Sequence, residues 1–201
     1  MTKIGILGGT FDPCHRGHIN LAIDAKEQVG LDEVILMPAR VQPFKKDKHV
    51  TEAFHRVNML KEAVKDCEGL RVSTWEVDQD SISYTYKTLE AVKEIRGKDA
   101  DIYFISGTDA FLSIESWKNG QDMLREYKFI VGVRPGYKIE ELDAAIENAK
   151  AKYNTKVIKI DNRRFHISST DIRNRLANDR TISDLVTQSV ERYILEHGLY
   201  T

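Results

Sequence analysis

The chain has few cysteines and lacks a long apolar run, and both features limit the cellular compartments in which we expect it. Cys14 and Cys67 are the only cysteines among its 201 residues, too few for the disulfide framework of a small secreted domain. No stretch of about 18 apolar residues is present, and Met1 leads directly into a strand pattern instead of a signal peptide. We therefore expect a cytoplasmic protein with no membrane segment.

An excess of charge of one sign is also missing. The 30 Lys and Arg residues are balanced by 31 Asp and Glu residues, so the formal net charge is −1. A nucleic-acid-binding surface normally carries clustered basic residues interleaved with aromatic ones, and the sequence shows no such interleaving. We expect no nucleic-acid partner. The length and the hydrophobic content of 41% are ordinary for one globular domain over residues 1–201.

Several well-known catalytic and nucleotide-binding motifs are absent as well. A P-loop requires Gly-Lys-Ser/Thr, and none occurs. A dinucleotide fingerprint G-x-G-x-x-G starting at Gly8 would need glycine where Thr10 and Pro13 stand. No G-x-S-x-G nucleophile elbow is present. If this protein handles phosphates, it uses another kind of loop.

The stretch Gly8–His18 carries the strongest chemical signal in the sequence. It follows a short apolar run typical of a buried strand, and Ile19–Val29 after it has the pattern of a helix. A strand, a glycine-rich turn and a helix N-terminus form a phosphate site, because backbone N–H groups converge there and the helix dipole favours anions. His15 and His18 lie near one face of the first helical turn if the helix begins by Arg16.

Two other interpretations of this stretch stay open. A glycine turn with a nearby histidine is often no more than a turn. Cys14, His15 and His18 could also hold zinc, although no fourth ligand is close in the sequence.

Apolar runs at regular intervals predict the fold. Val34–Met37 follows the first helix, and the resulting strand–helix–strand pattern predicts a right-handed unit with parallel strands. Ligands of such sheets bind outside the carboxyl ends of the strands. Further strand patterns occur at Leu70–Trp75, Ile102–Ile105, Phe129–Val133 and Val157–Ile160. We predict a single α/β domain with a Rossmann-like, doubly wound, mostly parallel sheet and helices on both faces.

A second candidate phosphate site lies far along the chain, from Ile167 to Arg173. Ser169 and Thr170 are good N-caps and Asp171 complements a helix dipole, so the stretch is typical of an ordinary helix start. Its hydroxyls, N–H groups and arginine also suit a triphosphate. If both sites serve one ligand, the two histidines must lie within a ligand's length of this stretch, and neither can be buried in the core.

These motifs resemble those of a known family. The run Gly8–His18 is similar to G-G-[TS]-F-D-P-x-H-x-G-H, the signature of the H-x-G-H nucleotidyltransferase superfamily, and residues 168–173 match its S-S-T-x-I-R motif. Along nearly the whole chain the sequence resembles the nicotinate-nucleotide adenylyltransferases. It departs from their pattern where they have His, Pro, Tyr and Arg, at Phe44, Ile82, Lys118 and Val133.

The resemblance implies an adenylyl transfer in NAD biosynthesis. AMP passes from ATP to nicotinate mononucleotide, giving deamido-NAD (nicotinate adenine dinucleotide) and pyrophosphate, by direct in-line attack without a covalent enzyme intermediate. ATP and nicotinate mononucleotide are the expected partners. Mg²⁺ is the expected cofactor, held on the phosphates by water and substrate oxygens, with no protein ligand assigned. A homo-oligomer is compatible with the sequence.

The resemblance also implies roles for particular residues. His15 and His18 are the catalytic pair, which binds the phosphoryl oxygens as charge develops on them. ATP and its phosphates are expected at Gly8, Gly9, Thr10, Phe11, Ser169, Thr170 and Arg173. The mononucleotide is expected at Lys45, Thr85, Asp109, Trp117 and Arg134, with Thr85 near the nicotinate carboxylate and Asp109 near a ribose hydroxyl.

Plainer interpretations compete with these roles. Thr85 and Asp109 are good helix caps, Trp117 is of a type common in cores, and Arg134 beside a turn is often a surface charge. The nearest enzymatic alternative is pantetheine-phosphate adenylyltransferase, although such chains are shorter and usually have threonine at the first histidine of H-x-G-H. A nucleotide-binding regulator without catalysis is the alternative from another class.

Overall fold

A parallel sheet lies at the centre of the computed structural model, which describes residues 1–41, 50–97, 99–133, 139–162 and 167–201. Its strands are β1 (Lys3–Gly9), β2 (Glu33–Pro38), β3 (Leu70–Val72), β4 (Asp101–Gly107), β5 (Lys128–Gly132) and β6 (Val157–Ile160). The six-stranded sheet has the order β3-β2-β1-β4-β5-β6, and each neighbouring pair is parallel. The predicted doubly wound sheet is confirmed, and in the described residues it is parallel throughout.

Helices cover both faces of the sheet, as predicted. In the described residues they are α1 (Arg16–Val29), α2 (Ala53–Val64), α3 (Thr85–Arg96), α4 (Thr108–Leu112), α5 (Gly120–Glu126), α6 (Ile139–Tyr153), α7 (Ser169–Leu176) and α8 (Gln188–Glu196), and a 3-10 turn lies at Ile114–Ser116. One apolar cluster joins α1, α2, α7 and α8 to the sheet, and a second joins α3, α5 and α6. In the described ranges, no helix combines the length and the apolar character needed to span a bilayer.

The apolar character of β1 explains its central place. Ile4, Ile6 and Leu7 are each at most 4% exposed, because helices cover both faces of this part of the strand. Burial of each such side chain contributes roughly 1.5–3 kcal/mol. Gly5 permits close packing, since a Cβ there would lie 2.7 Å from Ile105 Cδ1 and 2.8 Å from Leu31 Cδ1.

Two predicted boundaries are wrong. β3 pairs with β2 only as far as Val72, so Trp75 lies beyond the strand. α1 begins at Arg16, three residues earlier than predicted, because His15 takes the N-cap position with extended backbone angles of φ −145° and ψ 169°. The earlier start places both histidines of the H-x-G-H motif on the first turn of α1.

Candidate active site

The strand order reverses between β1 and β4, and both strands carry candidate site residues at their carboxyl ends. The chain leaves β1 through the phosphate loop (Gly8–His18) and leaves β4 at Gly107 directly into α4. At such a reversal the two connections run to opposite faces of the sheet and leave a crevice between them. Nucleotides bind in this crevice in doubly wound folds.

The two histidines of the phosphate loop form one unit. Their rings stack with centroids 3.7 Å apart and an interplanar angle of 19°. The backbone N–H of His15 donates to His18 Nδ1 at 3.3 Å, which is half of a capping box at the start of α1. Because Nδ1 is the acceptor, the proton of a neutral His18 ring lies on Nε2. The α1 dipole places positive potential at the same point.

The histidines differ in burial. His18 is half-buried, whereas His15 is only 6% exposed, so the prediction that neither histidine is buried is wrong for His15. The His15 ring is covered by His18 and by the backbone of Gly17, where a Cβ would lie 3.0 Å from His15 Nδ1. Glycine in the third position of the motif therefore lets the His15 ring fold against the start of α1.

Glycine is also required where the loop leaves β1. Phe11 adopts a left-handed backbone conformation with φ +53° and is 2% exposed. A Cβ at Gly9 would lie 3.1 Å from the Phe11 ring. The Phe11 ring meets His18 edge-on, with centroids 4.9 Å apart. The Phe11 ring thus packs against His18, and Gly8 is exposed.

The second phosphate motif meets the phosphate loop directly. Ser169 Oγ donates to Pro13 O at 2.8 Å, and Arg173 Nη1 donates to Asp12 O at 2.6 Å. These bonds join residues that are 156 and 161 positions apart in the sequence. The predicted proximity of the two motifs is confirmed.

One detail of the second motif differs from the sequence prediction. Ser168 is the N-cap of α7 and its Oγ accepts from Asp171 N at 3.1 Å, so neither Ser169 nor Thr170 caps the helix. The Ser169 hydroxyl is therefore used on the phosphate loop. Thr170 is exposed, and its Oγ1 accepts from Arg173 Nη2 at 3.2 Å.

A buried arginine behind the phosphate loop is a feature that sequence reasoning missed. Arg56 is 1% exposed, and its guanidinium donates to Thr10 O, Ala39 O and Thr51 O at 2.7–2.8 Å. From the sequence, a single arginine within a helical pattern is most simply interpreted as a surface charge. The available signal was its position four residues before Leu60, on the apolar face of α2.

The start of α3 lies against the segment that follows β2. Tyr84 is the N-cap and, in the described part of the chain, no side chain caps the helix. Ser83 Oγ instead accepts from Arg40 N at 3.0 Å, and Thr85 is half-buried at the first helical position. The capping role that the sequence allowed for Thr85 is wrong.

A cation lies beside this helix start. The Lys118 ammonium is 4.6 Å from the centroid of the Tyr84 ring. The neighbouring Trp117 is half-buried, donates from Nε1 to Ser113 Oγ at 3.0 Å and meets Phe104 edge-on. Trp117, Lys118 and the start of α3 are therefore neighbours, and we call this region the pyridine side.

The remaining predicted mononucleotide residues are less informative. Asp109 is exposed in the first turn of α4, whose N-cap is Gly107, so it does not cap that helix. Lys45 and Arg134 lie outside the described residues, as does Phe44.

Sequence reasoning also passed over a buried hydroxyl at the end of β4. Ser106 is 4% exposed, and its Oγ has no hydrogen-bond partner among the described residues. A buried hydroxyl ordinarily has a partner, so this one marks a place where a ligand's polar group could bind. The signal was a single polar residue at the end of an apolar strand.

The zinc interpretation of the phosphate loop is not supported. Cys14 is fully buried, and burial raises the pKa of its thiol to about 12. A zinc-bound cysteine is a thiolate, which this environment disfavours. Within the described ranges, no group of three His, Cys, Asp or Glu side chains is arranged to hold a metal ion.

The class of protein follows from which groups meet at the crevice. Imidazoles, helix N-termini and a guanidinium converge there, and this combination suits transfer of a nucleotidyl group by positioning and charge stabilisation. The cytidylyltransferase-like family model matches residues 6–175. The chain is thus a nucleotidyltransferase of that family.

Individual relatives narrow the family. The chain is 39% identical over 200 residues to a Clostridium botulinum (strain Eklund 17B / Type B) protein named "Probable nicotinate-nucleotide adenylyltransferase", covering 100% of this chain and 98% of the relative. It is also 39% identical over 200 residues to the Clostridium novyi (strain NT) protein of that name, covering 100% of both. The structure of Plasmodium falciparum nicotinic acid mononucleotide adenylyltransferase complexed with NaAD matches with a TM-score of 0.82 and 26% identity, covering 100% of this chain and 98% of that chain. The chain belongs to the nicotinate-nucleotide adenylyltransferase family.

Proposed function

We propose that the protein transfers AMP from ATP to nicotinate mononucleotide, releasing pyrophosphate and forming nicotinate adenine dinucleotide for NAD biosynthesis. The observation that carries the proposal is the junction of the phosphate loop with α7, where Arg173 and Ser169 bond the backbone of Asp12 and Pro13. The N-termini of α1 and α7 consequently face one crevice. Two converging helix N-termini suit a polyanion such as a triphosphate.

The reaction needs no protein nucleophile. The phosphate of the mononucleotide attacks the α-phosphorus of ATP, and the bond to pyrophosphate breaks in line with it. His18 donates from Nε2 to a phosphoryl oxygen as negative charge develops, and His15, stacked on it, binds the same group of oxygens. A donor aimed at developing charge contributes about 3 kcal/mol to lowering the barrier.

The departing pyrophosphate is held by the start of α7. Arg173 uses two of its five N–H donors on Asp12 O and Thr170 Oγ1, which fixes the guanidinium plane while the others bind phosphate oxygens. Ser169 holds the phosphate loop with its hydroxyl and offers its backbone N–H to the ligand. Gly8, Gly9 and Thr10 contribute backbone groups on the opposite side.

The acceptor's pyridine ring binds at the pyridine side. Thr85 stands where the first N–H groups of α3 can receive a carboxylate, and the Lys118 ammonium adds positive charge nearby. Both features favour the nicotinate over the amide. Trp117 packs beside the ring, Asp109 accepts from the ribose, and Lys45 and Arg134 bind the mononucleotide; these last roles are predictions of the family resemblance.

Mg²⁺ accompanies ATP in this proposal. The nearest carboxylate in the phosphate loop, that of Asp12, is 5% exposed and already accepts from Tyr200 and from Thr51 N, so it is not a vacant metal ligand. The residues present therefore fit an ion held by phosphate oxygens and water. Bound in that way, Mg²⁺ neutralises part of the triphosphate charge.

An acceptor comparison tests the proposed function. The purified protein is incubated with ATP, Mg²⁺ and either nicotinate mononucleotide, nicotinamide mononucleotide or phosphopantetheine, and both pyrophosphate and the dinucleotide product are quantified. The proposal expects the highest kcat/KM with nicotinate mononucleotide. Preferred turnover of phosphopantetheine, or ATP binding without turnover of any acceptor, would overturn it.

The proposal also covers the cellular compartment and the oligomeric state of the protein. Cys14 and Cys67 are both free thiols, which agrees with a reducing compartment such as the cytoplasm. The homo-oligomer and the lack of a nucleic-acid partner stay predictions of the sequence. Size-exclusion chromatography with light scattering measures the former.

A further inference from the structure

We infer that Tyr200 and Arg56 are positioning residues for the reaction: from behind the crevice they hold the backbone of the phosphate loop, and with it His15 and His18, in the geometry needed for turnover. The inference rests on the proposed adenylyl transfer. Each residue acts through the loop, Arg56 on its backbone and Tyr200 on the Asp12 side chain.

Arg56 ties the phosphate loop to two other segments. Its Nη1 donates to Thr10 O at 2.8 Å and to Ala39 O at 2.7 Å, and its Nε donates to Thr51 O at 2.8 Å. All three acceptors are backbone carbonyls, so the planar guanidinium fixes main-chain positions directly. The loop after β1, the segment after β2 and the segment before α2 are thereby held at one point.

Asp12 supplies the charge that makes a buried Arg56 tolerable. Burial lowers the pKa of the Arg56 guanidinium, and the nearby Asp12 carboxylate opposes that effect. The carboxylate itself is 5% exposed and needs hydrogen-bond donors in compensation. Among the described residues, the Tyr200 hydroxyl donates to Asp12 Oδ1 at 2.7 Å and Thr51 N donates to Asp12 Oδ2 at 3.4 Å, so Tyr200 is the closer donor.

Tyr200 is brought to the loop by the end of α8. Leu199 N donates to Ile194 O at 3.0 Å, and Tyr200 then adopts a left-handed conformation with φ +67°. Both Leu199 and Tyr200 pack against the apolar cluster that contains α1 and α2. Burial raises the pKa of the Tyr200 phenol, so the hydroxyl keeps its proton and remains a donor to Asp12 at neutral pH.

Loss of the Tyr200 hydroxyl has a defined consequence. Asp12 would keep only the long bond from Thr51 N among these donors, and a buried carboxylate in that state must shift toward another donor or bind a proton. Asp12 precedes His15 by three positions, and its backbone oxygen also receives Arg173. A shift at Asp12 therefore moves both the phosphate loop and the side chain of Arg173 on α7.

A pair of hydroxyl deletions separates positioning from stability. Tyr200→Phe removes the bond to Asp12. Tyr193→Phe is the matched control, because the described bonds of the Tyr193 hydroxyl go to His55 and Asn58 at the α2–α8 contact and not to the phosphate loop. kcat, KM for both substrates and thermal unfolding are measured for each variant at a temperature where both are folded.

We expect a split between the two variants. Tyr200→Phe should lower kcat by about tenfold with KM nearly unchanged, since sub-ångström misplacement of catalytic groups acts on the transition state. Tyr193→Phe should lose comparable thermal stability and keep the wild-type kcat. Wild-type kcat in Tyr200→Phe, or an equal loss in both variants, would overturn the inference.

Histidine ring spectra give a readout that does not depend on turnover. The chain has 6 histidines, and their ¹H–¹³C signals can be followed in each variant. Tyr200→Phe should move the signals of His15 and His18, whereas Tyr193→Phe should move those of His55 and His197. Unmoved His15 and His18 signals in Tyr200→Phe would contradict the inference. Inactivity of the wild-type protein with the proposed substrates would overturn only the proposed function, because the spectra can still be compared.

A second variant covers the case in which Tyr200→Phe does not fold. Asp12→Asn keeps the size of the side chain and an oxygen acceptor for Tyr200, but it removes the charge near Arg56. We expect a folded protein with lowered kcat and moved His15 and His18 signals. Wild-type values in both measurements would overturn the inference.

Discussion

The two sides of the crevice are built differently. On the side of the phosphate loop, which we call the phosphate side, Asp12, His15 and Arg56 are at most 6% exposed. Arg56 donates to the backbone carbonyls of Thr10 and Ala39 at 2.7–2.8 Å, and Asp12 O accepts from Arg173 at 2.6 Å. On the pyridine side, Trp117 is half-buried, Lys118 is exposed, and one cation–ring contact joins the latter to Tyr84. The phosphate side is therefore more deeply buried than the pyridine side.

Two of the four departures from the family pattern lie on the pyridine side. The H-x-G-H and S-S-T-x-I-R motifs are intact on the phosphate side, whereas Ile82 and Lys118 replace the usual residues on the pyridine side. Phosphoryl transfer depends on donors placed to within a fraction of an ångström. A ring and its carboxylate can be recognised by other side chains of suitable charge, so these two departures are compatible with the proposed acceptor.

Removing a catalytic donor is expected to have the largest effect. His18→Ala should lower kcat by about a hundredfold, because it deletes a donor aimed at developing charge, while the fold persists. Steady-state assays with His197→Ala, a change at an exposed histidine after α8, provide the control and should give near-normal rates. Near-normal turnover in His18→Ala would show that His18 does not stabilise the transition state.

Removing the buried guanidinium tests how much the phosphate side contributes to the stability of the fold. Arg56→Met should lower the free energy of unfolding by about 3 kcal/mol, because it leaves three backbone carbonyls without their donor. Arg180→Met, at an exposed arginine, should stay within about 0.5 kcal/mol of wild type. Urea titration measures both, and equal losses would mean that Arg56 stabilises the fold no more than a surface residue does.

The choice of acceptor tests what the pyridine side does. kcat/KM for nicotinate mononucleotide should exceed that for the amide by about tenfold or more, since a carboxylate gains charge-assisted hydrogen bonds from the start of α3. Competition between the two acceptors in one reaction gives the ratio directly. Equal values would show that the pyridine side does not read the carboxylate.

The smallest expected effect concerns Lys118. Lys118→Met should reduce the nicotinate preference by about fivefold at most, because an exposed cation contributes up to about 1 kcal/mol. Lys93→Met is the matched control, since Lys93 lies 5.3 Å from the Tyr127 ring near the other end of α3. The same acceptor ratio is measured in both, and an unchanged ratio in Lys118→Met would assign recognition to the helix start alone.

Much of the fold could be predicted because its signals are local. Continuous apolar runs such as Val157–Ile160 coincide with strands, since a strand covered on both faces must be apolar along its length. The H-x-G-H stretch predicted a phosphate site from its glycines and its place before a helix. Prediction failed at the level of single residues within a motif. Ser168, Ser169 and Thr170 are all good N-caps, so the sequence does not show which of them caps α7.

The sequence by itself determined the order of strands and helices along the chain and the two motifs that are predicted to bind phosphate. Only the tertiary structure decided that these motifs meet, that Arg56 lies beneath them, and that Tyr200 reaches Asp12. The physical reason is distance along the chain: periodicity and capping act within a few residues, whereas the bonds from Arg173 and Tyr200 to Asp12 join positions 161 and 188 residues apart. Such contacts form only when helices on one face of the sheet have packed together.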